Sequence, residues 1–298
     1  MTAGESPAVA RRRVRLALRA AREVKGFTQG HVAHELDWSL SKVNRIEKGE
    51  VTVSRTDLLA MLEMYGIDDQ GVVDDLVRAA RTSRQRGWWD EPRYRQFVTP
   101  AMVQLLQFES EATAIRHFHP TLVAGILQTR DYATYLMDFW AVELLDEIRE
   151  ARLEIRLRRR EHVLDRPDPP DYFLILDESV LQREVGGAKV MAEQLHALVA
   201  LMRAGKITVR VVPLAEAAPI AMLGPFTLLD IGDEENAVLY RESHTFDEIV
   251  NARDTIDRHR HIFEQLWAAS YTGEESERLI EARAATMLSS LDRRRPGG

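Results

Sequence analysis

Between Val9 and Ala80, apolar residues recur at three- and four-residue spacing in short, closely punctuated stretches. Val14, Leu18, Ala21 and Val24 make the inner face of a first helix, with arginines outside, and Gly26 ends it. Thr28 is the N-cap of a short helix over residues 29–36 that turns Val32, Ala33 and Leu36 inward. Asp37 and Trp38 form a tight turn. Ser39 then caps a third helix, residues 40–47, with Val43 and Ile46 as its buried pair; Lys48 and Gly49 supply a basic last turn and a glycine stop. Ser54, with Asp57 three residues on, opens a fourth helix that buries Leu58, Met61 and Leu62 and ends near Gly66. A fifth runs through residues 72–81.

Residues 82–100 interrupt this pattern with Gly87, Pro92 and Pro100 around the pair Trp88-Trp89. Adjacent tryptophans are costly to leave in water, so the segment reads as an ordered strap between domains. Beyond it the pattern is mixed. Residues 172–176, 207–212, 226–231 and 237–240 are short β-branched or apolar runs bounded by Pro, Gly or Asp, which predicts strands. Val190, Met191, Leu195, Leu198 and Met202 form one helical stripe, and Ile249, Ala252, Ile256, Phe263 and Leu266 another. The expected fold is α+β, mostly α: a five-helix head over residues 1–85, a linker over 86–100, and a helix-rich domain with a small sheet over 101–298, closing on a long helix pair.

A chain of 298 residues and 34.0 kDa suits two domains. The absence of cysteine excludes disulfides, Cys-based zinc sites and a thiolate nucleophile, and makes a cytoplasmic setting the simplest expectation. The first ten residues hold no apolar signal core, and no apolar run approaches the roughly 18 residues of a membrane span. The net charge of -7 is unevenly distributed. Residues 1–55 carry eleven Lys/Arg against six Asp/Glu, so a basic head precedes an acidic body. That asymmetry fits binding to DNA through the head alone.

Two short helices joined by a tight turn, the second presenting small polar and basic side chains, make a helix-turn-helix, whose second helix fits the major groove. The stretch LRAAREVKGFTQGHVAHELDWSLSKVNRIEKGE resembles the XRE or Cro/repressor class, with Arg22, Gly26, Thr28, Gln29, Ala33, Ser39, Val43, Arg45, Ile46, Glu47 and Gly49 at matching positions. The candidate DNA contacts are Gln29, Ser39, Leu40, Ser41, Lys42, Asn44, Arg45, Lys48 and Arg55. Arg45 suits bidentate bonding to a guanine edge, Leu40 contact with a thymine methyl, and Gln29, at the start of its helix, contact with phosphate. The resemblance implies that Arg22 and Glu47 form an internal ion pair and touch no DNA.

Farther on, the segment LQFESEATAIRHFHPTLVAGILQTRDYATYLM, then LDESVLQREVGG, ITVRVVPL and LGPFTLLD, resembles actinobacterial WhiJ-like and antitoxin-like regulators, which follow such a head with a C-terminal domain of unknown biochemistry. What the resemblance implies is a regulator, a homodimer on a pseudo-palindromic operator in double-stranded DNA, and a small partner protein encoded nearby. Residue by residue, the second domain shows no catalytic set. His117 and His119, read as helical, fall on different faces, as do His259 and His261, so no metal site is expected. Asp177-Glu178 reads as a helix start. Arg156, Arg158, Arg159 and Arg160, interleaved with glutamates, read as a solvated helix face. Neither enzyme activity nor a cofactor is expected, and no membrane. The alternatives are a small-molecule sensor pocket, lined by residues such as Phe226, Leu228, Met222 and Trp267, or a hydrolase-type enzyme targeted by the head.

Overall fold

Side-chain caps start four helices of the first unit, three of them at the residues the sequence marks. Helix α1 spans Pro7–Val24. Thr28 accepts the His31 amide at the start of α2 (Gln29–Glu35), Ser39 the Lys42 amide at α3 (Leu40–Lys48), and Ser54 the Asp57 amide at α4 (Arg55–Met64). Asp69 does the same for Val72 at α5 (Gln70–Thr82). Each cap satisfies an otherwise orphaned amide and contributes about 1 kcal/mol. Helix α3 ends on Gly49 at φ 73°, with the Gly49 amide on the Ile46 carbonyl and the Glu50 amide on that of Arg45. Glycine is needed there because a Cβ strains this left-handed conformation.

The head has its own core. Val14 and Leu18 of α1 meet Val32, Val43, Ile46, Leu58, Met61 and Leu76, all nearly inaccessible. Burial of each such side chain stabilises the fold by about 1.5–3 kcal/mol. Val24 departs from the expected stripe: it is 87% exposed, since the last turn of α1 runs past the core. Arg15 departs in the other direction. It is buried, and its Nη1 donates to the Lys48 carbonyl at 3.1 Å, capping the C-terminal end of α3.

The computed structural model describes residues 7–85, 87–139, 146–216, 222–243 and 246–294, and the chain divides into two units between Asp90 and Glu91. That division falls inside the stretch whose composition marks a linker. Just before it, Trp88–Asp90 form one 3-10 turn with Trp89 buried.

The second unit opens with α6 (Pro92–Arg95) and α7 (Pro100–Glu109). Strand β1 (Ala114–His119) follows, then α8 (Arg130–Phe139), α9 (Asp146–Leu164), β2 (Asp171–Asp177), α10 (Glu178–Gln182), α11 (Ala188–Arg203) and β3 (Thr208–Val212). An antiparallel run of β4 (Phe226–Ile231), β5 (Asp233–Glu242) and β6 (Asp247–Val250) precedes α12 (Arg253–Ala269) and α13 (Gly273–Arg294). The sheet order is β3-β2-β1-β4-β5-β6. Strands β1, β2 and β3 are parallel, while β4 runs antiparallel to β1, so β1 is the seam between the two halves.

The period of two along each strand sends alternate side chains to opposite layers. Phe118, Ile175, Phe226, Leu228 and Leu239 pack beneath Ile256, Phe263 and Leu266 of α12. The other face of β1, β4 and β5 carries His117, His119, Thr227 and Tyr240, and these border a cavity. Two strands, β1 and β6, had no clear apolar signal. The sequence of β1, AIRHFH, alternates around polar residues, and β6 is a short half-buried edge that took Ile249 away from the expected helical stripe. Helix α12 begins after Ala252.

Candidate nucleic-acid interface and a lined cavity

At 100° per residue, Leu40, Ser41, Asn44, Arg45 and Lys48 fall within an arc of about 140° on α3. Leu40, Ser41, Arg45 and Lys48 are exposed, while Val43, Ile46 and Glu47 turn inward. Apolar and acidic groups therefore lie behind, and polar and basic groups in front. Among the described residues the one approach to the Arg45 guanidinium is a loose one, Glu50 at 3.8 Å. Arg55, at the first turn of α4, is also exposed.

Behind this face a polar network fixes α2 against α3. Arg22 reaches Glu47 with two prongs, Nε to Oε1 at 2.6 Å and Nη2 to Oε2 at 3.0 Å, and its Nη1 donates to the Phe27 carbonyl at 2.7 Å. The hydrogen bond to Glu47 raises the Arg22 pKa against the opposing cost of burial. Gln29 Nε2 donates to Glu47 Oε2 at 2.8 Å, and Asn44 Nδ2 donates to Gln29 Oε1 at 3.2 Å. The Gln29 side chain is therefore engaged at both ends within the protein. The Ser39 hydroxyl is occupied as a cap. Lys42 is drawn to the edge of the face, its Nζ 2.9 Å from Asp57 Oδ1 and 3.5 Å over the Trp38 ring. The turn between α2 and α3 puts Asp37 at φ 53°, a left-handed position that Asp tolerates better than most residues.

The second unit contains a cavity of about 540 Å³. Its floor is the sheet face bearing His117, His119, Thr227, Tyr240 and Glu242; Met102, Leu105, Leu122, Leu136, Met137 and Ile155 supply apolar walls. Arg152, Arg156 and Arg159 of α9 line it as well. Arg159 is buried and pairs with Glu109, Nε to Oε2 at 2.9 Å and Nη2 to Oε1 at 2.6 Å. Burial opposes its charge, but Glu109 more than restores it, and the pKa is raised. Arg156 donates to Gln128 Oε1 at 2.8 Å, and burial, helped by Arg159, lowers its pKa to about 10.

For Arg159 this overturns the expectation of a solvated arginine face, because Glu109, the partner that permits burial, lies 50 residues upstream; Arg156, Arg158 and Arg160 stay partly exposed. The histidine reading is overturned too: on a strand, i and i+2 share a face, and the His117 and His119 rings stack at 6.0 Å between centroids. Among the described residues no group of three His, Cys, Asp or Glu is arranged to hold a metal ion. His119 Nδ1 accepts the amides of Thr121 and Leu122, which leaves its proton on Nε2. Burial lowers the His119 pKa to about 4 and that of His117 well below the usual range, so both rings are neutral at pH 7. The apolar set expected around a pocket belongs elsewhere. Phe226 and Leu228 are core beneath α12, Trp267 packs against that core, and Met222 is 93% exposed.

Residues 13–79 match a helix-turn-helix domain, and residues 102–282 match a domain of unknown function, DUF5753. The second match covers more than half of the sequence. The chain belongs to the DUF5753 family. No curated protein and no solved structure matches it. The DUF5753 region contains the entire sheet and all the cavity's arginines and histidines; only Phe97, Val98 and Thr99 of the cavity lining precede it. Among the described residues no helix is long and apolar enough to cross a membrane. Arg15, Glu109 and the paired histidines of the DUF5753 domain are the residues that sequence spacing misassigned or passed over.

Proposed function

We propose that the chain is a sequence-specific DNA-binding transcriptional regulator that acts as a homodimer on a pseudo-palindromic operator in double-stranded DNA. The observation that carries this reading is the exposed face of α3, with Arg45 unobstructed and the helix braced from behind by Arg22, Glu47 and Gln29. Asn44, Lys48, Ser41 and Leu40 complete the base-reading face. Arg55 suits phosphate, and Lys42 contributes there if it leaves Asp57. Dimerisation follows from size, since one head buries too little surface for tight specific binding, and two heads one helical turn apart supply it.

The resemblance to XRE-type, WhiJ-like and antitoxin-like regulators supports a second role for the DUF5753 domain, the binding of a partner protein or an effector in the cytoplasm. The reading gives the chain a binding role and no catalytic one. Selection of the full-length protein against random duplexes tests it. Enrichment of a two-fold symmetric sequence, with half-sites about 10 base pairs apart, is the expected result. Recovery of unenriched DNA alone overturns it.

A further inference from the structure

We propose that the DUF5753 cavity binds a small amphipathic carboxylate, with the carboxylate on Arg156 and the Nε2–H of His119 and the apolar body between α7, α8 and α9. The inference deepens the effector reading above, although binding itself does not depend on what the head does.

Three observations meet in this site. The first is a guanidinium with no carboxylate in contact among the described residues. Arg159 is neutralised by Glu109, whereas Arg156, one turn away on the same helix, has the Gln128 carbonyl as its only hydrogen-bond partner among the described residues and no carboxylate at ion-pair distance. A guanidinium carries five N–H donors, and that of Arg156, which is partly exposed, meets only this one acceptor. A protein that keeps such a group beside an open cavity leaves a place for an anion. The second is the floor. His119 gives both Nδ1 contacts to backbone amides, so its neutral Nε2–H is a fixed donor, and none of the described residues accepts from it. The third is the wall. Met102, Leu105, Leu136 and Ile155 surround the polar end with aliphatic surface, and the volume of about 540 Å³ is of the size that encloses a small ligand.

Charge balance narrows the class. Glu242 lines the same cavity and accepts from the Tyr240 hydroxyl at 3.2 Å, and Asp247 lies at the rim. These two carboxylates already match Arg156 and the exposed Arg152 in number, so the lining has no surplus positive charge to hold a phosphate dianion, and a monoanion is the most that Arg156 draws locally. A planar carboxylate also matches the guanidinium fork.

The test uses the full chain without DNA and three eight-carbon probes, octanoate, octan-1-ol and octyl phosphate. Calorimetry and thermal melting should show saturable octanoate binding and a raised Tm, with the alcohol and the phosphate at least about tenfold weaker. Arg156→Gln should weaken octanoate by about tenfold or more and, by removing an uncompensated charge, leave the ligand-free Tm unchanged or higher. Leu136→Trp, which fills the cavity and keeps Arg156, should also abolish binding, and serves if the first variant fails to fold. Shifted ring nitrogens of His119 on octanoate addition would place the probe. Equal binding of octanol, tighter binding of octyl phosphate, undiminished binding to a folded variant, or no octanoate binding each overturns the proposal. Failure to select an operator sinks the regulator reading and leaves these results standing.

Discussion

Arg22 and Glu47, 25 positions apart, close a two-pronged ion pair whose carboxylate also receives Gln29. Glu47 is buried at the back of α3, so removing Arg22 takes the charged partner from a carboxylate among apolar side chains. Arg22→Ala should therefore lower the stability of the first unit by about 3 kcal/mol. Thermal melting of the full chain, followed by amide exchange across α2 and α3, reads this out. Unchanged protection there would show that the pair is dispensable.

On α3, Arg45 and Lys42 should separate. Arg45→Ala should cost about 1–3 kcal/mol on the selected operator and far less on random duplexes, because base-edge bonds carry the discrimination. Lys42→Ala removes a charge already shared with Asp57 and stacked on Trp38, so its loss should be smaller and similar on both duplexes. Affinity should fall steeply with salt as counterions are displaced, and a flat log–log plot contradicts the phosphate contacts.

The Arg159–Glu109 pair predicts an asymmetry. Arg159→Met alone leaves a buried carboxylate and should destabilise the second unit by about 3–5 kcal/mol. Combining it with Glu109→Leu should recover most of that loss. A double-mutant cycle in denaturant checks the coupling, and additive losses would rule it out.

Acid should weaken the second unit before its carboxylates titrate. His117 and His119 have folded pKa values below the unfolded value near 6.5, with His119 at about 4. The unfolded chain thus binds more protons between those limits, and stability declines as pH falls from about 6.5 toward 4. The slope is at most about 1.4 kcal/mol per pH unit for each ring. His119→Asn retains an acceptor for the Thr121 and Leu122 amides and should make the decline shallower in pH-dependent unfolding.

The head was legible because its signals are local. Thr28, Ser39, Ser54 and Gly49 each announce a helix end within three or four residues of the group they satisfy. The strands over 171–177, 208–212 and 226–231 were legible as apolar runs. Strand β1 was not, since His117 and Arg116 mask its alternation and its two neighbours come from far along the chain. Nor does an arginine-rich helix reveal which guanidinium is buried. Arg158 and Arg159 are adjacent and chemically identical, and only Glu109 distinguishes the second. Arg15 was hidden for the same reason, its acceptor being the end of another helix.

The seam at β1 also sets an order of assembly. Ala114 lies beside Asp171 on one side and Asp230 on the other, so its strand waits for both to be synthesised. The head waits for less chain: α1 packs on α5, with Arg11 bonded to the Ser83 carbonyl 72 positions on, against 117 from Thr113 to Asp230 in the sheet. Low contact order favours its early closure on the ribosome, while the sheet assembles late. The emerging polypeptide then gains the exposed face of α3 well before the floor of its cavity exists, so any molecule that needs that floor can be held only by a finished chain.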